Sequence, residues 1–334
     1  PGLKVVAAYP FRVTRDADLE IEEDEAADLL AAIEESVSLR EFGSVVRLEI
    51  SDKMPRKVRD ILVANLDLAP YQVYSADGPL GMSDLMELMK VKRPDLKDQH
   101  YMHSVPPQLA RASSTFSAVQ RGDILLYHPY DSFNPVVDFI REAANDPHVI
   151  AIKQTLYRVG QNSPVVDALL KARENGKQVA VLVELKARFD EENNIVWAKA
   201  LERAGVYVVY GLVGLKTHAK VCLVVRRENN GIQRYVHMST GNYNATTARL
   251  YTDLGFFTSD EDIGADVSDL FNALTGYSQQ HKYRKLLVAP GRMREQIISR
   301  IDREIKQHEK HGEGYLAFKM NQLVDKASIQ ALYR

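Results

Sequence analysis

The chain has 334 residues, of which 45% are hydrophobic and 26% are charged, and its formal net charge is −2. These values are ordinary for a globular protein, and they argue against a global basic field of the kind that attracts nucleic acid. Cys222 is the single cysteine, which excludes internal disulfides and cysteine metal clusters and fits a reducing cytoplasm. No apolar segment approaches the roughly 20 residues of a membrane span.

The first hundred residues predict a small α+β module. Its predicted strands cover residues 3–13 and 45–50, and its predicted helices cover residues 18–41, 55–66 and 83–89. The methionine and leucine side chains of the last helix are expected in the core. A polar passage with several prolines follows at 93–107 and predicts a boundary, so we expect a first domain over residues 1–104.

Beyond this boundary the pattern changes to alternating strands and helices. The predicted strands are 149–156, 179–184 and 206–210, and the helices between them are 163–176 and 191–204. An apolar run at 221–225 and residues 234–238 flank an Asn-Gly turn and predict a hairpin. This order predicts a mixed sheet flanked by helices, which a helix over 262–274 completes. We expect a second domain over residues 105–284.

After residue 284 the cycle of strands and helices starts again. A strand is predicted over 285–289, a helix over 292–309 and a second strand over 315–320. The sequence starts without a methionine and ends within a predicted helix. We therefore expect residues 285–334 to be the truncated beginning of a second domain of the same kind as 105–284, and the chain to be part of a longer protein.

The segment before the apolar run carries one histidine between two lysines. Because side chains alternate along an extended chain, Lys216, His218 and Lys220 project from one face if the extension reaches back from Val221. Three such groups on one face favour an anion, and phosphate is the natural candidate. His218 could then attack phosphorus while Lys220 holds the oxygens. The alternative is a histidine that only caps or fills the start of a strand.

Further phosphate-binding groups follow the other predicted strands. Arg158 and Arg188 each come shortly after a strand, and their planar guanidinium groups match phosphate oxygens. The Thr240-Gly241-Asn242 segment could add backbone and amide donors. Ligands in open α/β sheets bind at the carboxyl ends of strands, so these groups are expected to converge. Since P-loop and protein-kinase motifs are missing, a nucleophilic histidine is the economical mechanism of phosphoryl transfer.

Several long segments, in order, closely resemble bacterial polyphosphate kinases. They are residues 127–133, 152–158, 184–192, 214–220, 239–244 and 248–253. The resemblance runs along nearly the whole chain and implies a phospholipase-D-like fold. It also implies reversible transfer of the terminal phosphate of ATP to inorganic polyphosphate, with ADP as the other product.

The resemblance also implies roles for single residues. His218 corresponds to the phosphorylated histidine with Lys220 beside it, Tyr251 to an ATP contact, and Arg158 and Arg188 to the site of the magnesium-bound phosphates. Arginine has no free lone pair, so both arginines are expected to grip phosphates that carry Mg²⁺. Asn242 is expected to contact the same phosphates.

The family pattern extends beyond this sequence. Members of the family begin with a helical domain that is absent here, and they contain a complete second phospholipase-D-like domain. They are commonly homo-oligomers and are sometimes found at the inner membrane face, so both properties are expectations for the whole protein. Two other functions stay open: a phospholipase-D-type phosphodiesterase, and a polyphosphate-binding module without catalysis. His128 and His237 are expected only to support the site, and Trp197 to pack its helix onto the sheet.

Overall fold

The computed structural model describes residues 4–16, 29–39, 43–99, 101–185, 187, 190–211, 214–276 and 282–334. The chain divides into two compact units, Pro1–Met102 and His103–Arg334. The first unit is a small α+β module, and the second contains a large mixed sheet with helices.

The first unit is built on a three-stranded sheet. Its elements are β1 (Phe11–Arg15), α1 (Leu29–Leu39), β2 (Val45–Ser51), α2 (Arg56–Asn65) and β3 (Val73–Ala76). In the sheet, β2 lies between an antiparallel β1 and a parallel β3. Alternate residues of β2, Leu48 and Ile50, are buried with Met54 and Leu68 to form the core of this unit. Of residues 18–41, where a helix was predicted, 29–39 form α1 and the others lie outside the described residues.

One prediction for this unit is wrong. The segment Met82–Lys90 forms 3₁₀ turns, and its large apolar side chains are exposed rather than in the core: Met82, Leu85, Met86, Leu88 and Met89. With about three residues per turn, a 3₁₀ segment places every third side chain in one row, so spacing that suits an α-helical stripe does not make one buried face.

The second unit contains seven strands and eight helices among its described residues. In chain order they are α3 (Pro107–Ala110), α4 (Thr115–Gln120), β4 (Ile124–His128), α5 (Asn134–Asn145), β5 (Val149–Leu156), α6 (Pro164–Glu174), β6 (Gln178–Val183), α7 (Glu191–Arg203), β7 (Tyr207–Tyr210), β8 (Val221–Glu228), β9 (Gly231–Ser239), β10 (Asp253–Thr258), α8 (Glu261–Leu274), α9 (Met293–His311) and α10 (Lys326–Tyr333).

The seven strands form one mixed sheet in the order β4-β10-β9-β8-β5-β6-β7. Strands β5, β6 and β7 are parallel to one another, whereas β8 runs antiparallel to β5 and forms a hairpin with β9. The prediction of a mixed sheet flanked by helices and preceded by an α+β module is therefore confirmed. On one face of the sheet, Val221, Leu223 and Val236 pack against Val267 and Phe271 of α8.

The strand register brings four chain segments to one end of the sheet. Leu156, the last residue of β5, pairs with Val183 at the end of β6. Val221, the first residue of β8, pairs with Met238 near the end of β9. The residues that follow β5, β6 and β9 and those that precede β8 therefore meet at this end, as expected for a ligand site in an open α/β sheet.

Other elements differ from the predictions. The strands predicted over 285–289 and 315–320 are not formed, because a strand requires a hydrogen-bonded neighbour and the described residues offer none there. Of the described part of the strand predicted over 3–13, only residues 11–13 are in a strand, and this strand, β1, continues to Arg15. Strands β4 and β10, which were not predicted, both belong to the large sheet. Residues 293–311 form the predicted helix, slightly shifted.

Candidate active site

The segment before β8 is held by two buried side chains, one in β5 and one just after β6. The Thr155 hydroxyl donates to the carbonyl oxygen of Ala219 at 2.8 Å and accepts from the Val221 amide at 3.0 Å. Oε2 of Glu184, which is fully buried just after β6, accepts from the Thr217 amide at 2.6 Å. These bonds fix the backbone on both sides of His218, although the strand itself begins only at Val221.

Four basic side chains gather around the ring of Tyr157. The Nζ atoms of Lys220 and Lys216 lie 4.7 Å and 5.6 Å from the ring centroid, and Cζ of Arg158 lies 5.4 Å from it. The His218 imidazole meets the ring edge-to-face, with centroids 5.2 Å apart. The ring is almost buried, and the negative face of a tyrosine π system attracts cations, so Tyr157 draws these groups to one place.

The crowding of cations changes the proton affinities of the site. Burial, together with the charges of Lys220, Lys216 and Arg158, lowers the pKa of His218 below its ordinary value. Burial and the charge of Arg158 lower the pKa of Lys220 to about 8, although Asp253 opposes this shift. A histidine with a lowered pKa keeps a free lone pair at neutral pH, as a nucleophile requires.

Arg158 is presented by an otherwise buried turn. Its side chain is exposed, whereas its neighbours Tyr157 and Val159 are 5% and 3% exposed. Its φ angle is +53°, in the left-handed region that a residue with a Cβ adopts at a cost of about 1–3 kcal/mol. Such a conformation persists only where the surroundings impose it, so the position of this guanidinium group is set by the fold.

The loop between β9 and β10 borders the same end of the sheet. Thr240 donates to Oδ1 of Asp253 at 2.8 Å, and a Cβ on Gly241 would lie 2.5 Å from Oδ2 of Asp253. Only glycine therefore lets the loop pass so close to this carboxylate. Oδ1 of Asn242 is buried without a hydrogen-bond partner among the described residues. The Tyr251 side chain on the same loop is 65% exposed.

His128 and His237 lie within the sheet, apart from the four basic side chains around Tyr157, which we call the cationic cluster. Both are buried, and their Nε2 atoms have no hydrogen-bond partner among the described residues. His237 Nδ1 pairs with the hydroxyl of Tyr243 at 2.9 Å, and burial followed by the charge of His128 lowers the pKa of His237 to about 3. His237 is therefore neutral at physiological pH and acts as part of the packing beneath the loop.

The structure brings together most of the residues singled out from the sequence. His218, Lys216, Lys220 and Arg158 form one cluster, whereas Asn242 and Tyr251 lie on the adjoining loop. Arg188 lies outside the described residues. Sequence reasoning assigned no role to Tyr157, Thr155 or Glu184, although each stands at or next to the end of a strand that leads to the site.

The site offers few ligands for a metal ion. Among the described residues, no group of three or more histidine, cysteine, aspartate or glutamate side chains is arranged to hold one. Mg²⁺ prefers oxygen ligands, whereas the side chains around Tyr157 are mainly cationic nitrogen donors. This set suits the phosphate oxygens of a magnesium–phosphate complex and does not fit Mg²⁺ bound directly by the protein.

A search of the described helices for membrane spans found none that combines the necessary length with the necessary hydropathy.

Three models of polyphosphate kinase domains match the chain. The middle domain matches residues 1–88, C-terminal domain 1 matches residues 114–280, and C-terminal domain 2 matches residues 286–334. The cationic cluster thus lies within the segment that matches C-terminal domain 1.

Named relatives and a solved structure agree with these models. Polyphosphate kinase of Prosthecochloris aestuarii is 57% identical, and polyphosphate kinase 1 of Chlorobaculum tepidum is 59% identical, each over 100% of this chain. This chain covers 47% and 48% of those proteins, so it spans about half the length of the curated relatives it matches. The crystal structure of polyphosphate kinase from Porphyromonas gingivalis matches 99% of this chain and 47% of its own, with 33% identity and a TM-score of 0.78. The chain belongs to the polyphosphate kinase family.

Proposed function

We propose that this chain carries the phosphoryl-transfer site of an ATP:polyphosphate phosphotransferase, with His218 as the phosphoryl carrier. One observation supports the proposal most strongly. His218, whose pKa is lowered by burial and by its cationic neighbours, stands with Lys216, Lys220 and Arg158 around a single tyrosine ring. A neutral nucleophile among fixed cations is the arrangement that transfer of a phosphoryl group requires.

The proposed reaction has two balanced steps. An imidazole nitrogen of His218 forms a bond to the γ-phosphorus of ATP while the bond between that phosphorus and the β–γ bridging oxygen breaks, and ADP leaves with the electron pair. A terminal oxygen of polyphosphate then attacks the same phosphorus. The nitrogen–phosphorus bond breaks, its electron pair returns to the imidazole, and the polymer is one phosphate longer.

The cations bind and orient the phosphates during both steps. Lys220 and Arg158 hold phosphate oxygens, and Arg188 is assigned to the same task from its place in the sequence. Asn242 contributes a polar side chain on the adjoining loop, and the exposed ring of Tyr251 is free to stack against a nucleotide base. Mg²⁺ enters as part of the substrate, bound to the phosphates of ATP, and screens their charge.

The larger organisation of the protein is also part of this proposal. We retain a head module over 1–104, the first catalytic domain over 105–284 and the beginning of a second such domain over 285–334. Homo-oligomerisation, a cytoplasmic location and peripheral association with a membrane stay predictions for the whole protein.

The decisive experiment is labelling of the chain with γ-labelled ATP and Mg²⁺, with His218→Ala beside it. We expect a label on the protein that is labile in acid and stable in alkali, as for a phosphohistidine, and that is lost in His218→Ala. His148→Ala is the control, because the side chain of His148 is 60% exposed and pairs with Asp146, away from the Tyr157 ring. This variant should be labelled like the unchanged chain.

Tripolyphosphate binding tells the remaining functions apart. An unlabelled chain that still binds tripolyphosphate, less tightly when Arg158 is replaced by alanine, would act as a binding module. Hydrolysis of a phosphodiester substrate would favour the phosphodiesterase. A folded chain that neither becomes labelled nor binds tripolyphosphate would rule out the site itself.

A further inference from the structure

Side chains from distant parts of the chain hold the turn after β5, residues 157–160. Nε1 of Trp197 donates to the carbonyl oxygen of Gly160 at 2.8 Å, and Oδ2 of Asp190 accepts from the Gly160 amide at 3.1 Å. Nδ2 of Asn244 donates to the carbonyl oxygen of Arg158 at 3.0 Å. The backbone on both sides of Val159 is therefore fixed from α7 and from the loop after β9.

Asn244 uses both halves of its amide for different purposes. Its Oδ1 accepts from the amides of Thr246 and Thr247, at 3.0 Å and 3.1 Å, and so caps its own loop. Its Nδ2 reaches across to the Arg158 carbonyl. A Cβ on Gly160 would lie 2.8 Å from this Nδ2, so the turn is shaped to receive the asparagine. An asparagine engaged in this way serves the protein backbone rather than a ligand.

This contact acts on Arg158, which is exposed between the buried residues Tyr157 and Val159. Arg158 has a positive φ angle, which a residue with a Cβ avoids unless neighbouring groups impose it. The peptide carbonyl of Arg158 accepts the hydrogen bond from Asn244. Loss of this hydrogen bond would let the turn relax. The guanidinium group would then leave its place above the ring of Tyr157, beside His218 and Lys220.

We propose that Asn244 is a positioning residue that holds Arg158 in its left-handed turn and so aims its guanidinium group at the phosphates beside His218, with Trp197 as a further support of the turn. The inference rests on the proposed function, since it assigns Arg158 to phosphate binding. It adds a mechanical link between the loop after β9 and the turn after β5. It also makes the single tryptophan of the chain a reporter of the turn.

The test is a double-mutant cycle with tripolyphosphate as the ligand. Asn244→Ser retains an oxygen that can cap Thr246 and Thr247 but is too short to reach Arg158, and it adds no charge. We expect it to weaken tripolyphosphate binding about fivefold, the usual worth of one hydrogen bond. In an Arg158→Ala background the same substitution should change the affinity by less than about twofold, since contacting residues are not additive.

Two further measurements accompany the cycle. The emission of Trp197 should shift in Asn244→Ser, because the turn that accepts its Nε1 proton has moved. Asn65→Ser is the matched control: Asn65 also donates Nδ2 to a backbone carbonyl, that of Ile61, but it lies in the other unit. It should change neither the tryptophan emission nor the affinity.

The outcomes separate this inference from the proposed function. An equal loss of affinity in both backgrounds, or none in either, would overturn the role of Asn244 while leaving phosphate binding by Arg158 intact. If Arg158→Ala alone left the affinity unchanged, the assignment of Arg158 to phosphate binding in the proposed function would be wrong. Should Asn244→Ser fail to fold, Trp197→Phe removes another support of the turn, and its loss of affinity must likewise vanish in the Arg158→Ala background.

Discussion

The two ends of β8 handle positive charge in opposite ways. Just before its first residue, Lys220 lies near Lys216 and Arg158. Burial and the positive charges of these two residues lower the pKa of Lys220 to about 8. Near its last residue, Nε of Arg226 lies 2.8 Å from Oδ2 of Asp146, and its guanidinium group also pairs with Glu228. Burial by itself would lower the pKa of Arg226, but the carboxylates of Glu228 and Asp146 outweigh burial and raise this pKa above its ordinary value.

The contrast separates a structural arrangement from a functional one. At the Arg226 end the hydroxyl of Tyr235 also donates to Glu228 at 2.6 Å, so cation and anions satisfy one another within the protein. At the Lys220 end the cations repel one another, and an incoming anion would relieve this repulsion. One end of the strand should therefore contribute to folding, and the other should contribute to binding.

Replacing Arg226 should have the largest effect on stability. Arg226→Met leaves Asp146 and Glu228 partly buried without their cation, and we expect the free energy of unfolding to fall by about 3 kcal/mol. Urea unfolding measures this loss. Arg227→Met, a change at the next and exposed position of β8, should cost less than about 0.5 kcal/mol. Similar unfolding midpoints for the two variants would mean that the ion-pair network does not stabilise the fold.

Replacing Lys220 should have a small effect on stability and a large effect on ligand affinity. Lys220→Met removes a charge that the folded state disfavours, so the free energy of unfolding should change by less than about 1 kcal/mol. Tripolyphosphate affinity should fall at least tenfold, because a hydrogen bond to a charged group is worth about 1.5–3 kcal/mol. Calorimetric titration measures this loss. Lys171→Met, at an exposed position of α6, is the control and should leave the affinity unchanged.

The lowered pKa of Lys220 predicts a pH dependence of binding. As the pH rises through about 8, the free protein loses this ammonium charge, so tripolyphosphate affinity should fall, though less than in Lys220→Met. Lys220→Arg keeps its charge throughout this range and should remove the step. A step of equal size in Lys220→Arg would assign the titration to another group or to the ligand.

The same group predicts the opposite trend for folding. The pKa of Lys220 is about 8 in the folded chain and returns to its ordinary value of 10.5 on unfolding. Between these two pH values the unfolded state binds more protons, so the contribution of Lys220 to stability rises with pH. The difference in unfolding free energy between the unchanged chain and Lys220→Met, measured across this window, isolates that contribution.

The sequence predicts part of this architecture well, for identifiable reasons. Strands β5, β6 and β8 are apolar runs bounded by polar turns, and the Asn-Gly turn sets the hairpin of β8 and β9. Strand β10 contains Gly255, which weakens the strand signal. The structure explains the glycine, since a Cβ there would lie 3.1 Å from Nε2 of His237 and 3.3 Å from Nε2 of His128. Such a contact between three strands cannot be inferred from local pattern.

The sequence predicts which cations meet at the site, but not the residues that hold them in place. The rule that ligands bind at strand ends predicts that Arg158 and Lys220 approach one another, although they are far apart in sequence. The ring that gathers them, Tyr157, carries no signal beyond its place next to an arginine. The support of Arg158 by Asn244 depends on a contact across 86 positions, which requires the folded sheet.

The smallest effect that we predict distinguishes the two ends of the sheet by a matched pair of threonines. Thr155, near the site end of β5, accepts from the Val221 amide, whereas Thr258, at the far end of β10, accepts from the Asp260 amide, both at 3.0 Å. Valine at either position leaves one amide without its acceptor, which should cost about 1 kcal/mol of stability, and at position 155 it also removes the bond to the Ala219 carbonyl, which adds a similar loss. Only Thr155→Val loosens the segment that presents His218 and Lys220, and only this variant should weaken tripolyphosphate binding, by about two- to fivefold. Equal affinities for the two variants would mean that the cationic cluster keeps its arrangement without the bonds of Thr155, and that the ring of Tyr157 and the bond from Thr217 to Glu184 are sufficient to hold it.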